Sequence, residues 1–105
     1  MDFIDIARVG ELEDDERIFF DYMGIPVVLI QISGEYYALQ DCCTHDDGPL
    51  GDGEIEDHQI ICPRHGARFD VRSGKALTLP AVKEVLAFPV KLVGDVIQVG
   101  FPDPE

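Results

Sequence analysis

The sequence predicts an all-β fold in a single domain that spans residues 1–105. Its apolar residues alternate with polar ones or fall in short runs between turn residues, a pattern typical of strands. The longest uninterrupted apolar run, residues 25–30, is far short of the about 20 residues that a membrane-spanning helix needs. A chain of 105 residues can bury its own core, and many short strands separated by Gly and Pro favour a sandwich or a small barrel.

The strands are predicted in order along the chain at residues 3–7, 17–22, 25–32, 36–40, 53–55, 59–62, 68–71, 75–79, 87–93 and 96–100. The β-branched residues of the third favour a strand, and the turn at 33–35 joins it to the fourth as a hairpin. Turn residues at 72–74 and 94–95 separate later strands in the same way. Residues 9–19 are predicted to form an acidic loop, although their Glu and Asp side chains would also suit the first turn of a helix.

The chain is strongly acidic, with 21 Asp and Glu residues against 8 Lys and Arg and a formal net charge of −13. Nucleic acid and anionic membrane surfaces are poor partners for such a chain. No Lys or Arg occurs between Ile18 and Pro63. The acidic charge either serves solubility or steers the protein toward a basic partner, which raises association rates more than affinity.

The cysteine count and the N-terminus suggest a cytoplasmic protein. The first ten residues, MDFIDIARVG, are acidic where a secretory signal would be basic and then apolar. Three cysteines cannot all pair, and a cytoplasmic thiol is more often a metal ligand or a bystander than a disulfide partner.

Two short loops carry the residues that could bind a metal. In the stretch QDCCTHDDGPL one residue separates Cys43 from His45, and in IICPRHGARF two residues separate Cys62 from His65. Each loop follows a predicted strand, and the sixteen residues between His45 and Cys62 are enough for one hairpin out and back. The two loops can therefore meet at one tip of a sheet, where they would offer two thiolates and two imidazoles.

A tetrahedral zinc site is one interpretation of these four ligands, because Zn²⁺ takes two Cys and two His in structural sites. Such sites commonly pair Cys with Cys and His with His, whereas each loop here carries one of each. A binuclear iron–sulfur cluster uses this mixture, with both thiolates on one iron and both imidazoles on the other.

The pattern Cys-x-His, sixteen residues and then Cys-x-x-His-Gly-x-x-Phe resembles the Rieske [2Fe–2S] proteins. Within residues 41–81, CTHDDGPL and CPRHGARFDVRSGKAL are similar to the two cluster loops and the strand that leaves them. The resemblance implies three antiparallel sheets in a sandwich, with a small cluster-binding subdomain of about these residues at the tip. It also implies that Cys43 and Cys62 bind an inner iron, and that His45 and His65 bind an outer iron at the surface.

The resemblance suggests supporting roles as well. Gly66 would let the backbone approach the cluster, so that N–H groups could reach its sulfurs. Leu50, Pro63 and Pro80 would screen the cluster from water, or would simply pack as loop residues do.

Two departures from the high-potential Rieske proteins suggest a low reduction potential. Members in quinol-oxidising respiratory complexes have a further Cys in each cluster loop, joined as a disulfide, whereas here the second-loop position is Arg64. Those members also carry Ser and Tyr hydroxyls near the sulfurs, where this chain has Ala67 and Phe69. Because fewer donors would stabilise the reduced cluster, we expect a potential at the low end of the Rieske span of roughly −150 to +300 mV.

The chain looks most like the small soluble ferredoxin component of a Rieske oxygenase system. Such a component takes one electron from a flavin-dependent reductase and passes it to the terminal oxygenase. Beyond the four ligands the only histidine is His58, so the 2-His-1-carboxylate iron site of an oxygenase cannot be built and no catalysis is expected. We expect a monomer, since a carrier must release its partners. Two alternatives stay open, namely the small subunit of an assimilatory nitrite reductase and a zinc-stabilised or redox-sensing interaction module.

The remaining polar residues of interest are expected to be structural. Cys42 is predicted to be a half-buried thiol, because as a ligand it would change Cys-x-His to Cys-x-x-His. His58 is predicted to be a solvated turn residue. One of Tyr36 and Tyr37 should lie in the core while its neighbour faces out.

Overall fold

Three antiparallel sheets make up the computed structural model, which describes residues 1–43, 48–64, 66–79 and 83–102. A one-turn 3-10 helix, Val9–Glu11, follows the first strand. The strands are β1 (Asp2–Arg8), β2 (Arg17–Tyr22), β3 (Ile25–Ile32), β4 (Glu35–Gln40), β5 (Glu54–Glu56), β6 (Gln59–Ile61), β7 (Arg68–Asp70), β8 (Ala87–Phe88), β9 (Val90–Val93) and β10 (Val96–Phe101). Within these described ranges, no helix is long and apolar enough to cross a membrane.

The sheet topology places the two cysteine loops next to one small sheet. The terminal sheet has the order β1-β10-β9 and joins the two ends of the chain, while the central sheet has the order β2-β3-β4-β8. The third sheet has the order β5-β6-β7, and its strands flank both loops. This architecture confirms the predicted all-β fold class.

The central sheet is covered on both faces, which explains the apolar run in β3. Successive side chains of a strand point to opposite faces. Val27 and Leu29 lie in one hydrophobic cluster, whereas Val28 and Ile30 lie in the other, and all four are at most 1% exposed. A strand buried on both sides needs a continuous run of apolar residues rather than an alternating one.

Two hydrophobic cores therefore lie on opposite faces of the central sheet. The basal core packs that sheet against the terminal sheet and consists of Ala7, Leu12, Val27, Leu29, Ala38, Phe88, Ile97, Val99 and Phe101. The loop-side core packs it against the small third sheet and consists of Val28, Ile30, Ile32, Leu39, Cys43, Leu50, Ile60, Cys62, Ala67, Phe69, Val71 and Val85. Both candidate ligand cysteines thus belong to the hydrophobic core rather than to an exposed loop.

Several predicted details differ from the structure. The first is the acidic segment, part of which forms the 3-10 helix Val9–Glu11 rather than a loop throughout. The carboxylate of Glu11 accepts a hydrogen bond from the Arg8 backbone N–H at 3.1 Å, and the Val9 N–H donates to the carbonyl of Asp95 at 2.8 Å. These two bonds satisfy amide groups that would otherwise lack partners at the start of a helical turn.

The predicted strand at 75–79 was wrong, because this segment makes only an isolated bridge from Ala76 to Phe69. Its hydrogen bonds to β7 include one made by a side chain and do not form a regular strand ladder. The Thr78 hydroxyl, rather than a backbone carbonyl, accepts the Arg68 N–H at 2.9 Å, while Leu77 N–H donates to the Arg68 carbonyl at 2.8 Å.

The predicted strand at 87–93 is divided at Pro89 into β8 and β9. A proline has no N–H to donate to a neighbouring strand. The two halves enter different sheets, β8 beside β4 in the central sheet and β9 beside β10 in the terminal sheet. The break lets one short segment connect the two sheets.

The expectation that one of two adjacent tyrosines faces solvent was also wrong, because both faces of the central sheet are covered. Tyr36 packs against the basal core and Tyr37 against the loop-side core, and each is half-buried. The Tyr37 hydroxyl donates to the Glu35 carboxylate at 2.6 Å, and this hydrogen bond raises the pKa of Tyr37 above its ordinary value. His58 is half-buried rather than solvated, with its ring edge-on to Tyr37 at 5.9 Å between centroids.

Candidate metal centre

The first cysteine loop leaves the end of β4 and is closed by a backbone hydrogen bond. The Cys43 N–H donates to the Gly48 carbonyl at 2.7 Å. Cys43 itself is fully buried, as is Leu50 at the far end of the loop. In the sequence, His45 lies between Cys43, which donates this amide hydrogen bond, and Gly48, which accepts it.

The second cysteine loop follows β6 and is closed in the same way. The Cys62 N–H donates to the Ala67 carbonyl at 2.7 Å, and the Gly66 N–H returns to the Cys62 carbonyl at 2.9 Å. Gly66 has φ +73°, a left-handed conformation that L side chains rarely adopt, so the turn itself requires glycine here. His65 falls within this closed loop, as His45 does within the first.

The two loops are closed by the same type of hydrogen bond, although the number of residues between Cys and His differs. In each loop the cysteine amide is bonded to the carbonyl five positions later, Cys43 to Gly48 and Cys62 to Ala67. The extra residue between Cys62 and His65 therefore moves the histidine by one position in the loop sequence, and the closing hydrogen bond keeps the same spacing.

The cysteines of both loops are buried, whereas described residues near them in the same loops are exposed. Cys43 and Cys62 are 0% and 1% exposed and belong to the same loop-side core. By contrast, Pro49 in the first loop and Pro63 and Arg64 in the second are exposed. A group bound by the cysteines would therefore have its inner side in the hydrophobic core and its outer side toward these exposed residues.

The base of the first loop is held by a carboxylate. One oxygen of Asp41, Oδ1, accepts the backbone N–H groups of Leu50 at 2.8 Å and of Gly51 at 2.6 Å. The Asp41 amide in turn donates to the Pro26 carbonyl at 2.8 Å. The carboxylate thus joins the start of the loop to its end, and the amide ties both to β3.

An arginine of the central sheet holds the next segment of chain. The Arg17 guanidinium, whose side chain is 12% exposed, donates through Nη1 to the carbonyls of Gly51 and Gly53 and through Nη2 to Asp15 at 2.7 Å. A Cβ at position 53 would lie 2.0 Å from the Ile61 carbonyl oxygen, so only glycine fits there. These contacts position the return from the first loop into β5.

Several predicted site residues lie outside the described residues, namely His45, His65 and Pro80. Among the residues that are described, no group of three or more His, Cys, Asp and Glu is placed to hold a metal ion. Cys43 and Cys62 both lie in the loop-side core, and the assignment of all four ligands remains a prediction. Cys42 is half-buried, as predicted, and lies outside the loop-side core, with its Sγ 3.9 Å from the Cys43 carbonyl oxygen.

Comparison with known proteins decides the family. The family model described as the Rieske [2Fe-2S] domain matches residues 2–89. The chain belongs to the Rieske [2Fe–2S] family. The cofactor of this family is a Rieske-type [2Fe–2S] cluster, which confirms the cofactor predicted from the two loops.

Rieske relatives of similar length match most of the chain. The ferredoxin component of biphenyl 2,3-dioxygenase from Rhodococcus jostii (strain RHA1) is 40% identical over 90 residues, which are 86% of this chain and 84% of that protein. The ferredoxin component of the naphthalene 1,2-dioxygenase/salicylate 5-hydroxylase systems of a Ralstonia species is 36% identical, with 86% of each chain covered. The ferredoxin of carbazole 1,9a-dioxygenase from Nocardioides aromaticivorans IC177 superposes with a TM-score of 0.86 at 31% identity, covering 92% of this chain and 95% of that one.

The described residues fit a Rieske cluster chemically. Two thiols in one apolar core could not ionise there without a cationic partner, because an isolated buried charge is costly. The ferric irons of a cluster supply that charge, and Cys thiolates are the ligands that iron–sulfur clusters take. The matched closures of the two loops hold both cysteine backbones in place for such a group.

Asp41 and Arg17, which hold the Rieske loops, were not predicted from the sequence. Asp41 carries a local signal, since Asp side chains often accept backbone N–H groups beside loops. Arg17 carries none, because its partners Gly51 and Gly53 are more than thirty positions away in the sequence.

Proposed function

We propose that this Rieske protein is the ferredoxin component of an oxygenase system, carrying single electrons from a flavoprotein reductase to a terminal oxygenase. One observation supports this most strongly. The relatives that match it are themselves ferredoxin components, and the aligned region covers 84% and 86% of their lengths. That match favours a ferredoxin over the small subunit of a nitrite reductase and over a zinc-stabilised interaction module.

The ligand assignment is part of the proposal. Cys43 and Cys62 would hold the inner iron as thiolates, and His45 and His65 would hold the outer iron. The burial of both cysteines and the exposure of Pro49, Pro63 and Arg64 support this order from inside to outside. When bound, the cluster supplies a reversible one-electron oxidation and reduction.

The chain's own residues adapt the site to electron transfer. Leu50, fully buried in the same core as the cysteines, excludes water from the inner side, while the exposed Pro49, Pro63 and Arg64 leave the outer side open to a partner. His45 and His65, as ligands on the exposed side of the site, would give an electron a short path to the partner's redox centre.

A low reduction potential follows from the apolar neighbours of the cysteines. Ala67 and Phe69 are fully buried in the loop-side core, and neither side chain can donate a hydrogen bond. Hydrogen bonds to cluster sulfurs are one determinant of the reduction potential, and fewer of them leave the reduced state less stabilised.

The remaining features of the proposal concern the molecule as a carrier. We propose that residues 1–105 act as one cytoplasmic domain, with residues 41–81 binding the cluster, and that it is monomeric and catalyses no reaction itself. A net charge of −13 supports docking to basic surfaces on the reductase and the oxygenase.

A pair of serine variants tests the ligand assignment. Cys43→Ser removes a proposed thiolate and should yield a colourless protein, because iron–sulfur clusters are held by thiolates. Cys42→Ser is the matched control, one position away and outside the loop-side core, and should keep the visible absorption and about two iron atoms per chain. A colourless Cys42→Ser protein would overturn the assignment.

Reduction by a partner tests the carrier role. The oxidised holoprotein is mixed with NADH and catalytic amounts of a flavoprotein reductase from a Rieske dioxygenase system, and the visible absorption is followed. Bleaching that requires the reductase supports the proposal, and reoxidation on adding the corresponding oxygenase completes it. A protein that dithionite reduces but that no such reductase reduces would contradict the carrier role.

A further inference from the structure

We propose that Arg64 is a positioning residue that ties the two cluster loops together and so retains the cluster, an inference that rests on the proposed function. Arg64 belongs to the second loop, two positions after Cys62 and directly before His65. Its guanidinium crosses to the first loop, where Nη1 donates to the Pro49 carbonyl at 2.8 Å. Within the described residues, this is a side-chain hydrogen bond that runs directly from one cysteine loop to the other.

The arginine contacts the first loop at the point where that loop closes. The Gly48 carbonyl accepts the Cys43 amide, and the Pro49 carbonyl, one residue later, accepts the Arg64 guanidinium. Movement of Arg64 is therefore coupled to the backbone that fixes Cys43. Since Arg64 lies within the Cys62–Ala67 closure, the same side chain couples the two cysteine backbones to each other.

The absence of a side chain at Gly48 leaves room for this guanidinium. A Cβ at position 48 would lie 2.7 Å from both Cζ and Nη2 of Arg64, closer than real Cβ contacts come, and 3.0 Å from Nε, so the guanidinium would have to shift away. The backbone at Gly48 is not in the left-handed region, so conformation alone does not require glycine there. Its missing side chain instead leaves room for the flat arginine group to lie against the backbone.

The contact should govern how long the cluster is held. A cluster bound between two loops is lost when the loops separate, and a charge-assisted hydrogen bond between them opposes that separation. Arginine suits this role better than lysine, because its planar group can both donate to Pro49 and lie flat on Gly48.

Cluster loss in the presence of a chelator tests the proposal. Holoproteins purified without oxygen are incubated with excess EDTA, and the decay of visible absorption is timed. Arg64→Ala and Gly48→Ala should each lose the cluster about three- to tenfold faster than the wild type, the range expected for the loss of one solvent-exposed hydrogen bond of ordinary strength. Arg64→Lys should lie between Arg64→Ala and the wild type.

Two further variants separate this role from general destabilisation. Arg72→Ala is the matched control, since Arg72 is an exposed arginine of the same region whose ion pair with Asp70 stays within one turn, and it should decay as the wild type does. The double variant Gly48→Ala/Arg64→Ala should decay no faster than Arg64→Ala, because both changes remove the same contact. The far-UV circular dichroism of all holoproteins should be unchanged.

Each outcome decides between the proposals. Equal decay of Arg64→Ala and Arg72→Ala, or additive effects in the double variant, would overturn the role of Arg64. If Arg64→Ala never takes up a cluster, Gly48→Ala and Arg64→Lys carry the test, and wild-type decay in both would overturn it. A wild-type protein that binds no cluster would instead contradict the proposed function.

Discussion

Phe69 is the residue whose chemistry bears most directly on the reduction potential. It is fully buried in the loop-side core with both cysteines and offers no hydrogen-bond donor. Phe69→Tyr should raise the potential, because a phenolic O–H that reaches a cluster sulfur stabilises the added electron. If the bond is stronger by about 0.5–1.5 kcal/mol in the reduced state, the rise is roughly 20–60 mV, which protein-film voltammetry can measure.

Phe88→Tyr is the control for that shift. Phe88 is 8% exposed in the basal core, on the opposite face of the central sheet from the cysteines. Its added hydroxyl should leave the potential unchanged. Equal shifts in both variants would show that the effect of Phe69→Tyr is not a local hydrogen bond.

The four proposed ligands could be predicted from the sequence because residue type and spacing are enough to indicate iron–sulfur ligands. Arg64 could be placed at a distinctive position but its contact with Pro49 could not be foreseen, since a long side chain reaches a partner fifteen positions away only in the folded chain. Gly48 gave a weaker signal still, because glycine is common in loops for conformational reasons that do not apply here.

At the scale of elements, the first loop depends on the carboxylate at its base. Asp41→Ala leaves two backbone N–H groups, those of Leu50 and Gly51, without their acceptor. We expect the free energy of unfolding of the holoprotein to fall by about 1–3 kcal/mol, the cost of unsatisfied buried donors. Urea unfolding followed by circular dichroism measures this change.

Asp41→Asn separates the acceptor from the charge. An asparagine keeps an oxygen at the Oδ1 position and should retain most of the stability that Asp41→Ala loses. Equal losses in the two variants would mean that the negative charge, rather than the geometry of the acceptor, holds the loop.

Strand prediction succeeded where the local pattern decides the structure and failed where distant contacts do. The hairpin of β3 and β4 follows from its β-branched residues and its turn. The segment at 75–79 has the same apolar character but bonds irregularly through Thr78, and 87–93 divides at Pro89 because its halves find partners in different sheets. Proline in a predicted strand was the signal available for that second error.

At the scale of the whole molecule, the central sheet separates the basal core from the cluster site. One hydrophobic core lies on each face. The central sheet, against which the cysteines pack, is therefore supported by the basal core on its other face. The sequence predicted the three-sheet architecture through its resemblance to a family. It did not predict that Tyr36 and Tyr37 would both be half-buried, since that requires knowing that both faces are covered.

The most direct test of the central claim is the EPR spectrum of anaerobically purified protein before and after dithionite. We expect a red-brown protein, silent when oxidised, whose reduced spectrum has the low average g value of a histidine-ligated [2Fe–2S] cluster. A spectrum typical of four cysteine ligands would contradict the assignment of His45 and His65. A colourless protein fully loaded with zinc would remove electron transfer altogether and leave only the β fold.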